Sequence, residues 1–252
     1  MRTEFIDGHG GTRLAVHRMG ARNGGGSPVV LLHGLFSSAE VNWIKYGTAA
    51  RLVEAGFEAI MPDLRAHGQS DAPHESSAYP EDVLVADALA LVAALGLEDY
   101  DLAGFSLGAR TAVRAVLAGL TPRRLVLGGM GLEGLAGWAR RSAHFVDAID
   151  RFGSIGRDEP AYVAQNFMKA MKVDRVAARL LLQSVDDTAA AALDGITMPT
   201  LVVCGAEDQD NGSARALAER LPQAVYREIP GTHMSSVTRP ELGAAIVQFL
   251  NA

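Results

Sequence analysis

Short aliphatic runs recur along the chain with longer Ala- and Leu-rich segments between them, a pattern that builds a mostly parallel sheet covered by helices on both faces. Strands are expected over residues 12–18, 29–32, 58–61, 100–103, 125–127, 201–204 and 225–229. Helices are expected over 47–54, 80–95, 107–118, 213–221 and 240–250, the last with Pro240 suited to a first turn. Residues 24–28, Gly-Gly-Gly-Ser-Pro, read as a loop before the first core strand, and no internal repeat is apparent.

One segment, 131–195, offers helical periods but no convincing strand, so it reads as a helical cap inserted into a core domain of residues 1–130 and 196–252. Trp138, Phe145, Ile149 and Phe152 recur at helical spacing there, as do Val163, Phe167 and Met171. Most of these side chains should pack on the core domain, while some should line a pocket at the sheet. With 252 residues, 48% of them hydrophobic, the chain can bury a sizeable core.

A formal charge of −6 argues against a surface that tracks phosphates, and the Arg123-Arg124 and Arg140-Arg141 pairs read as solvated faces. Residues 1–7 hold no uninterrupted apolar run, and no stretch reaches the ~18 residues of a membrane span, so a cytoplasmic protein is expected. The single cysteine, Cys204, sits in an aliphatic run and reads as a small core hydrophobe. A small molecule is the expected partner, nucleic acid is not, and a homodimer is left open. No His, Cys or Asp cluster has metal-ligand spacing, so neither a metal nor an organic cofactor is expected.

The chemistry centres on Gly104-Phe105-Ser106-Leu107-Gly108, which lies between an apolar run and a helix-forming one. A serine hydroxyl is a poor nucleophile unless held proud of the fold beside a base, and a sharp strand-to-helix turn flanked by glycines does this. A chain with 27 glycines can produce such a pentapeptide by accident, so Ser106 needs partners. The base should be His233, just beyond the strand at 225–229, in a loop where glycine and small polar neighbours let it reach across the sheet. The acid should be Asp208, three residues past Gly205. Glu207 and Asp210 read as solvated or helix-capping, and Glu133 as a substitute acid. Oxyanion donors should be the backbone N–H groups of Leu107 and of Leu35, with Phe36 as the alternative to Leu35. His33 reads as a structural hydrogen-bonding group, and Ser37 and Ser38 as ending the loop and capping the next segment.

Together these segments resemble the α/β-hydrolase fold superfamily over essentially the whole chain apart from the cap. His33-Gly34-Leu35-Phe36 is similar to the family's oxyanion loop, and Pro62-Asp63-Leu64-Arg65-Ala66-His67-Gly68-Gln69-Ser70 to its D-x-R-G-x-G-x-S segment. Ala66 replaces a common glycine, so a small backbone adjustment is expected, and Asp63, Arg65 and His67 read as turn-fixing residues. The resemblance implies a Ser106–His233–Asp208 triad and an ester hydrolase acting through an acyl-enzyme; an aspartate-nucleophile dehalogenase or epoxide hydrolase is disfavoured by Ser106. Phe36, Trp138, Phe145, Phe167 and Met234 are the expected substrate-binding residues. The alternatives are an enol-lactone or carbon–carbon bond hydrolase of a catabolic pathway, for which Arg140, Arg141 and Lys169 could meet a substrate carboxylate, and a triad-bearing ligand sensor.

Overall fold

Eight strands form one sheet in a computed structural model that describes residues 1–20 and 25–252; Gly24 of the expected glycine loop lies outside the described residues. In chain order they are β1 (Arg2–Asp7), β2 (Arg13–Met19), β3 (Ser27–Leu32), β4 (Phe57–Pro62), β5 (Asp101–Phe105), β6 (Leu125–Gly128), β7 (Thr200–Gly205) and β8 (Ala224–Ile229). Their spatial order is β1-β2-β4-β3-β5-β6-β7-β8, with β2 antiparallel to both its neighbours, β1 and β4, and β3 to β8 mutually parallel.

The core strands are aliphatic on both faces because helices cover both. Within β3, Val29 and Leu31 join one buried cluster and Val30 and Leu32 the other, the period-2 alternation of a pleated strand. One face packs helices α1 (Thr48–Glu54) and α10 (Pro240–Leu250); the other packs α2 (Val83–Ala94), α3 (Leu107–Leu117) and α8 (Ala214–Arg220). Pro240 stands at the start of α10, where its missing N–H leaves no helical bond unmade. Cys204 is a buried free thiol, pushed up to about 12 by burial, as a small core residue should be.

Between β6 and β7 the chain forms α4 (Leu132–Ala136), α5 (Trp138–Asp150), α6 (Tyr162–Ala170) and α7 (Arg175–Ser184), with no strand. A one-turn helix, α9 (His233–Ser236), separates β8 from α10.

Two features depart from the sequence expectation. β1 carries no strand signal of its own, because its side chains alternate between exposed and half-buried at the sheet edge and offer no apolar run. Ser27 and Pro28 open β3 rather than belonging to the loop. Ala66 is held at φ 66°, in the left-handed region that favours glycine.

Candidate active site

The order of the strands decides which loops meet. β3 sits between β4 and β5, so the chain leaves it in one direction and later returns on its other side; the loops after β3 and β5 diverge there and leave a crevice at the carboxyl ends of the strands. The 33–38 loop follows β3 and Ser106 follows β5.

Ser106 holds φ 53° and ψ −115°, a sparsely populated conformation that costs about 1–3 kcal/mol and that its surroundings must impose. They do so through two bonds and two glycines. Ser106 N–H donates to the Gly128 carbonyl (2.8 Å), and the Ser106 carbonyl accepts from Arg110 N–H (3.0 Å). A Cβ on Gly104 would strike the Gly108 backbone, and one on Gly108 would strike the Leu32 carbonyl. The turn is therefore as tight as the pentapeptide implied.

His233 comes from β8, three strands from β5, so at roughly 4.8 Å per strand its loop must run back across the sheet. The loop passes so close to β7 that a Cβ on Gly205 would strike the Gly231 carbonyl. Thr232 then caps α9: its Oγ1 accepts Ser235 N–H (3.3 Å) and its own N–H donates to Ser235 Oγ (2.8 Å). This capping box sets His233 on the first turn of a short helix rather than in the open loop that the sequence suggested.

With Nδ1 protonated, His233 donates to Asp208 Oδ2 (2.9 Å) and its Nε2 accepts from Ser106 Oγ (3.0 Å). The Asp208 side chain is 1% exposed. Burial by itself would raise its carboxyl, but the hydrogen bond and charge of His233 and the Asp210 N–H hold it below the ordinary carboxylate range. The Phe105 ring lies 5.1 Å from the imidazole and shields it from the sheet side.

Hydrogen bonding separates the oxyanion candidates. Gly34 N–H donates to Asn42 Oδ1 (3.0 Å), Phe36 N–H to His67 Nε2 (2.9 Å) and Ser37 N–H to the Gly34 carbonyl (3.2 Å). Phe36 is thus occupied and drops out as a donor. Leu35 N–H is left of that pair; Leu107, which lines the same cavity, has its N–H at the first residue of α3, where the helix dipole favours negative charge.

Two histidines fix that loop. His33 donates from Nδ1 to the Gly34 carbonyl (2.8 Å) and accepts Leu64 N–H at Nε2 (2.9 Å). His67 donates from Nδ1 to the Arg65 carbonyl (2.9 Å) and accepts Phe36 N–H. Each can fill both roles only as the neutral ring. Burial lowers the pKa of both, that of His67 to about 3. Asp63 accepts from Ala39 N–H (2.8 Å), Gln69 N–H (2.8 Å) and His17 Nε2 (3.2 Å), while Arg65 pairs with buried Asp87 at 2.7 Å. These bonds tie the loops after β3 and β4 into one unit, the turn-fixing role expected of Asp63, Arg65 and His67.

A cavity of about 930 Å³ opens beside Ser106, bounded by the β3, β5 and β8 loops and by α5 and α6. Phe36, Trp138, Phe145, Phe167 and Met234 all line it, and Phe36 meets Phe145 edge to face at 5.6 Å.

Other acidic and basic residues sit elsewhere than the sequence suggested. Glu133 accepts Ser213 N–H (2.8 Å) at the start of α8, so it is engaged there rather than available as a substitute acid. Ser213, not Asp210, caps α8, and Asp210 lines the cavity. Arg141 is not a solvated surface group: it is half-buried, lines the cavity, donates to the Asp210 carbonyl and stands over Phe145. Arg140 lines the cavity from an exposed position, and Lys169 is not among the lining residues. Asp208, Asp210 and His233 offer ligand atoms within 4.8 Å of one another, but Asp208 Oδ2 and His233 Nδ1 are already bonded together. Asn42 and Arg110 carry no sequence signal, since neither lies in a motif or shows a period.

A family model described as alpha/beta hydrolase fold matches residues 27–126. A putative non-heme chloroperoxidase of Synechocystis sp. is 27% identical over 246 residues, covering 82% of this chain and 84% of that protein. The N-formylmaleamate deformylase of Pseudomonas putida is 34% identical over 125 residues, covering 49% of this chain and 45% of that protein. Among solved structures, the esterase EaEST of Exiguobacterium antarcticum is similar with a TM-score of 0.79 and 23% identity over 100% of both chains. The enol-lactonase of Burkholderia xenovorans LB400 is similar with a TM-score of 0.78 and 21% identity, over 99% of this chain and 100% of that one.

Proposed function

We propose, for a chain that is a member of the α/β-hydrolase fold superfamily, the chemistry of a serine hydrolase that cleaves a carboxylic ester with a small to medium acyl or alkyl group. The observation that carries this reading is the unbroken chain from Ser106 Oγ through His233 to Asp208, at 3.0 and 2.9 Å, facing a cavity with apolar walls.

As Ser106 Oγ attacks the ester carbonyl, His233 Nε2 takes its proton, and Asp208 holds the imidazolium that forms. Negative charge gathers on the former carbonyl oxygen, where the N–H groups of Leu35 and Leu107 receive it. His233 returns the proton to the departing alkoxide, leaving an acyl group on Ser106. Water, deprotonated by His233, then repeats the attack and releases the acid. The helices between β6 and β7 act as a cap that supplies Trp138, Phe145 and Phe167 as apolar walls.

A second reading, hydrolysis of an enol-lactone or a carbon–carbon bond in a carboxylate-bearing substrate, is favoured by Arg141, whose guanidinium lines the cavity. Labelling by a fluorophosphonate, competed with neutral and acidic esters and lactones of graded size, tests both. Wild-type protein should be labelled and the Ser106→Ala variant should not. Protection by neutral esters favours the first reading, protection by acidic lactones alone the second, and labelling that survives Ser106→Ala would overturn both.

A further inference from the structure

Arg110 follows Ser106 by one helical turn on α3 and is 1% exposed, yet its side chain takes no part in the hydrolytic steps. Its Nη1 donates to the carbonyls of Gly134 (3.0 Å) and Leu135 (2.7 Å) in α4. The guanidinium carbon lies 5.0 Å from the centre of a Trp138 ring. Nη2 stands 3.8 Å from Asp187 Oδ1, and that same oxygen accepts the backbone N–H of Trp138.

Trp138 is therefore held three times, at its ring by the cation, at its indole N–H by the Leu182 carbonyl (3.4 Å) and at its backbone through Asp187. It lines the cavity and is 5% exposed. Nε and Nη2 of Arg110 make no hydrogen bond, and burial lowers its pKa to about 10. A cation so deeply buried, with its nearest carboxylate oxygen at 3.8 Å, is poor glue, so its role is better sought in what it orients than in stability. Because Ser106 immediately precedes α3 and its carbonyl accepts the Arg110 N–H of the first turn, anything Arg110 fixes is fixed relative to the nucleophile.

We propose that Arg110 is a positioning residue that sets Trp138 as a wall of the cavity, and thereby sets the size of the acyl or alkyl group that the site accepts. Its kinetic consequence rests on the serine-hydrolase reading; its structural part does not. The extended guanidinium bonds the α4 carbonyls and faces the Trp138 ring at once, whereas a lysine ammonium, a compact point charge on a shorter side chain, can bond the carbonyls only by giving up the stacked face. Arg110→Lys thus separates orientation of Trp138 from anchoring of α4.

The chain has two tryptophans, Trp43 and Trp138, so a Trp43→Phe background leaves Trp138 as the sole indole emitter. In that background Arg110→Lys should red-shift Trp138 emission and raise its quenching by acrylamide. The ratio of kcat/KM for benzoyl over acetyl esters should change by about fivefold, chiefly through KM, while Ser106 labelling by a small fluorophosphonate stays within about twofold. Trp138→Leu should alter the same ratio, and adding Arg110→Lys to it should change the ratio no further. A folded Arg110→Lys protein with unchanged emission and an unchanged size profile overturns the proposal. If Ser106 resists labelling, the hydrolase reading fails and the emission result still judges the wall. Should Arg110→Lys not fold, Asp187→Asn, at a residue with a 42% exposed side chain, must shift emission and size profile in its place; no shift there overturns the proposal equally.

Discussion

His67 should make this protein acid-sensitive in a way that one substitution removes. Its ring is neutral because both nitrogens are committed, Nδ1–H to the Arg65 carbonyl and Nε2 to Phe36 N–H, and because burial and neighbouring His33 oppose a charge there, against the weaker pull of Asp63. The folded pKa is about 3, well below the 6.5 of the free side chain. A histidine with a depressed folded pKa stabilises the fold least where the unfolded chain takes up the proton that the folded one refuses. Stability is therefore full above about pH 6.5 and falls as pH drops toward 3. Between pH 7.5 and 5.0, His67 alone should remove about 2 kcal/mol. His33, lowered by the same burial, adds to the loss. His67→Gln takes away the titration, while its amide oxygen can still accept from Phe36 N–H. Urea unfolding of wild type and variant at the two pH values gives the result. The variant should be less stable at pH 7.5 by about 1–2 kcal/mol, from imperfect replacement of two buried bonds, and this gap should close or reverse at pH 5.0. A gap of equal size at both pH values would refute the neutral-staple reasoning.

Asp208→Asn leaves the shape of the site but removes the charge that supports the imidazolium, so kcat on a simple ester should fall about 10³–10⁴-fold with the fold intact by circular dichroism. Gly108→Ala drives a methyl into the Leu32 carbonyl, backbone against backbone, and should cost about 3 kcal/mol or more, read as a drop in melting temperature together with loss of Ser106 labelling. Arg141→Met should leave neutral esters within about twofold and, where the acidic-substrate reading holds, raise KM for carboxylate-bearing esters about tenfold, the difference of one charge-assisted bond.

Much of this fold was legible because its signals are local. Seven of the strands carry an apolar run or alternation bounded by turns, and the nucleophile turn is written in contiguous residues between a strand and a helix. β1 escaped because its two apolar residues, Phe5 and Ile6, are adjacent and flanked by Arg2, Thr3, Glu4 and Asp7, which leaves neither a run nor an alternation to read. Ser106, Asp208 and His233 each lie just past a parallel strand, so their meeting follows from topology once the strands are placed. The choice between Leu35 and Phe36 was not legible, because it turns on a hydrogen bond from Phe36 to His67, 31 residues away. Arg141 was misread, and the capping alternative for Asp210 failed while its solvated one held, for the same reason: adjacency to Arg140 and to Ser213 is visible in the sequence, whereas the contact between α5 and the loop after β7 is not.

A covalent intermediate on Ser106 is the claim on which the rest depends, and pre-steady-state turnover of a p-nitrophenyl ester measures it directly. Mixing at enzyme concentrations comparable to the burst should release one equivalent of p-nitrophenol per protein ahead of steady turnover, with acid-quenched protein heavier by the acyl group and the adduct mapping to the peptide that contains Ser106. Burst and adduct should both vanish in Ser106→Ala. Steady turnover that persists in that variant, or an acyl group found on another residue, would contradict the account.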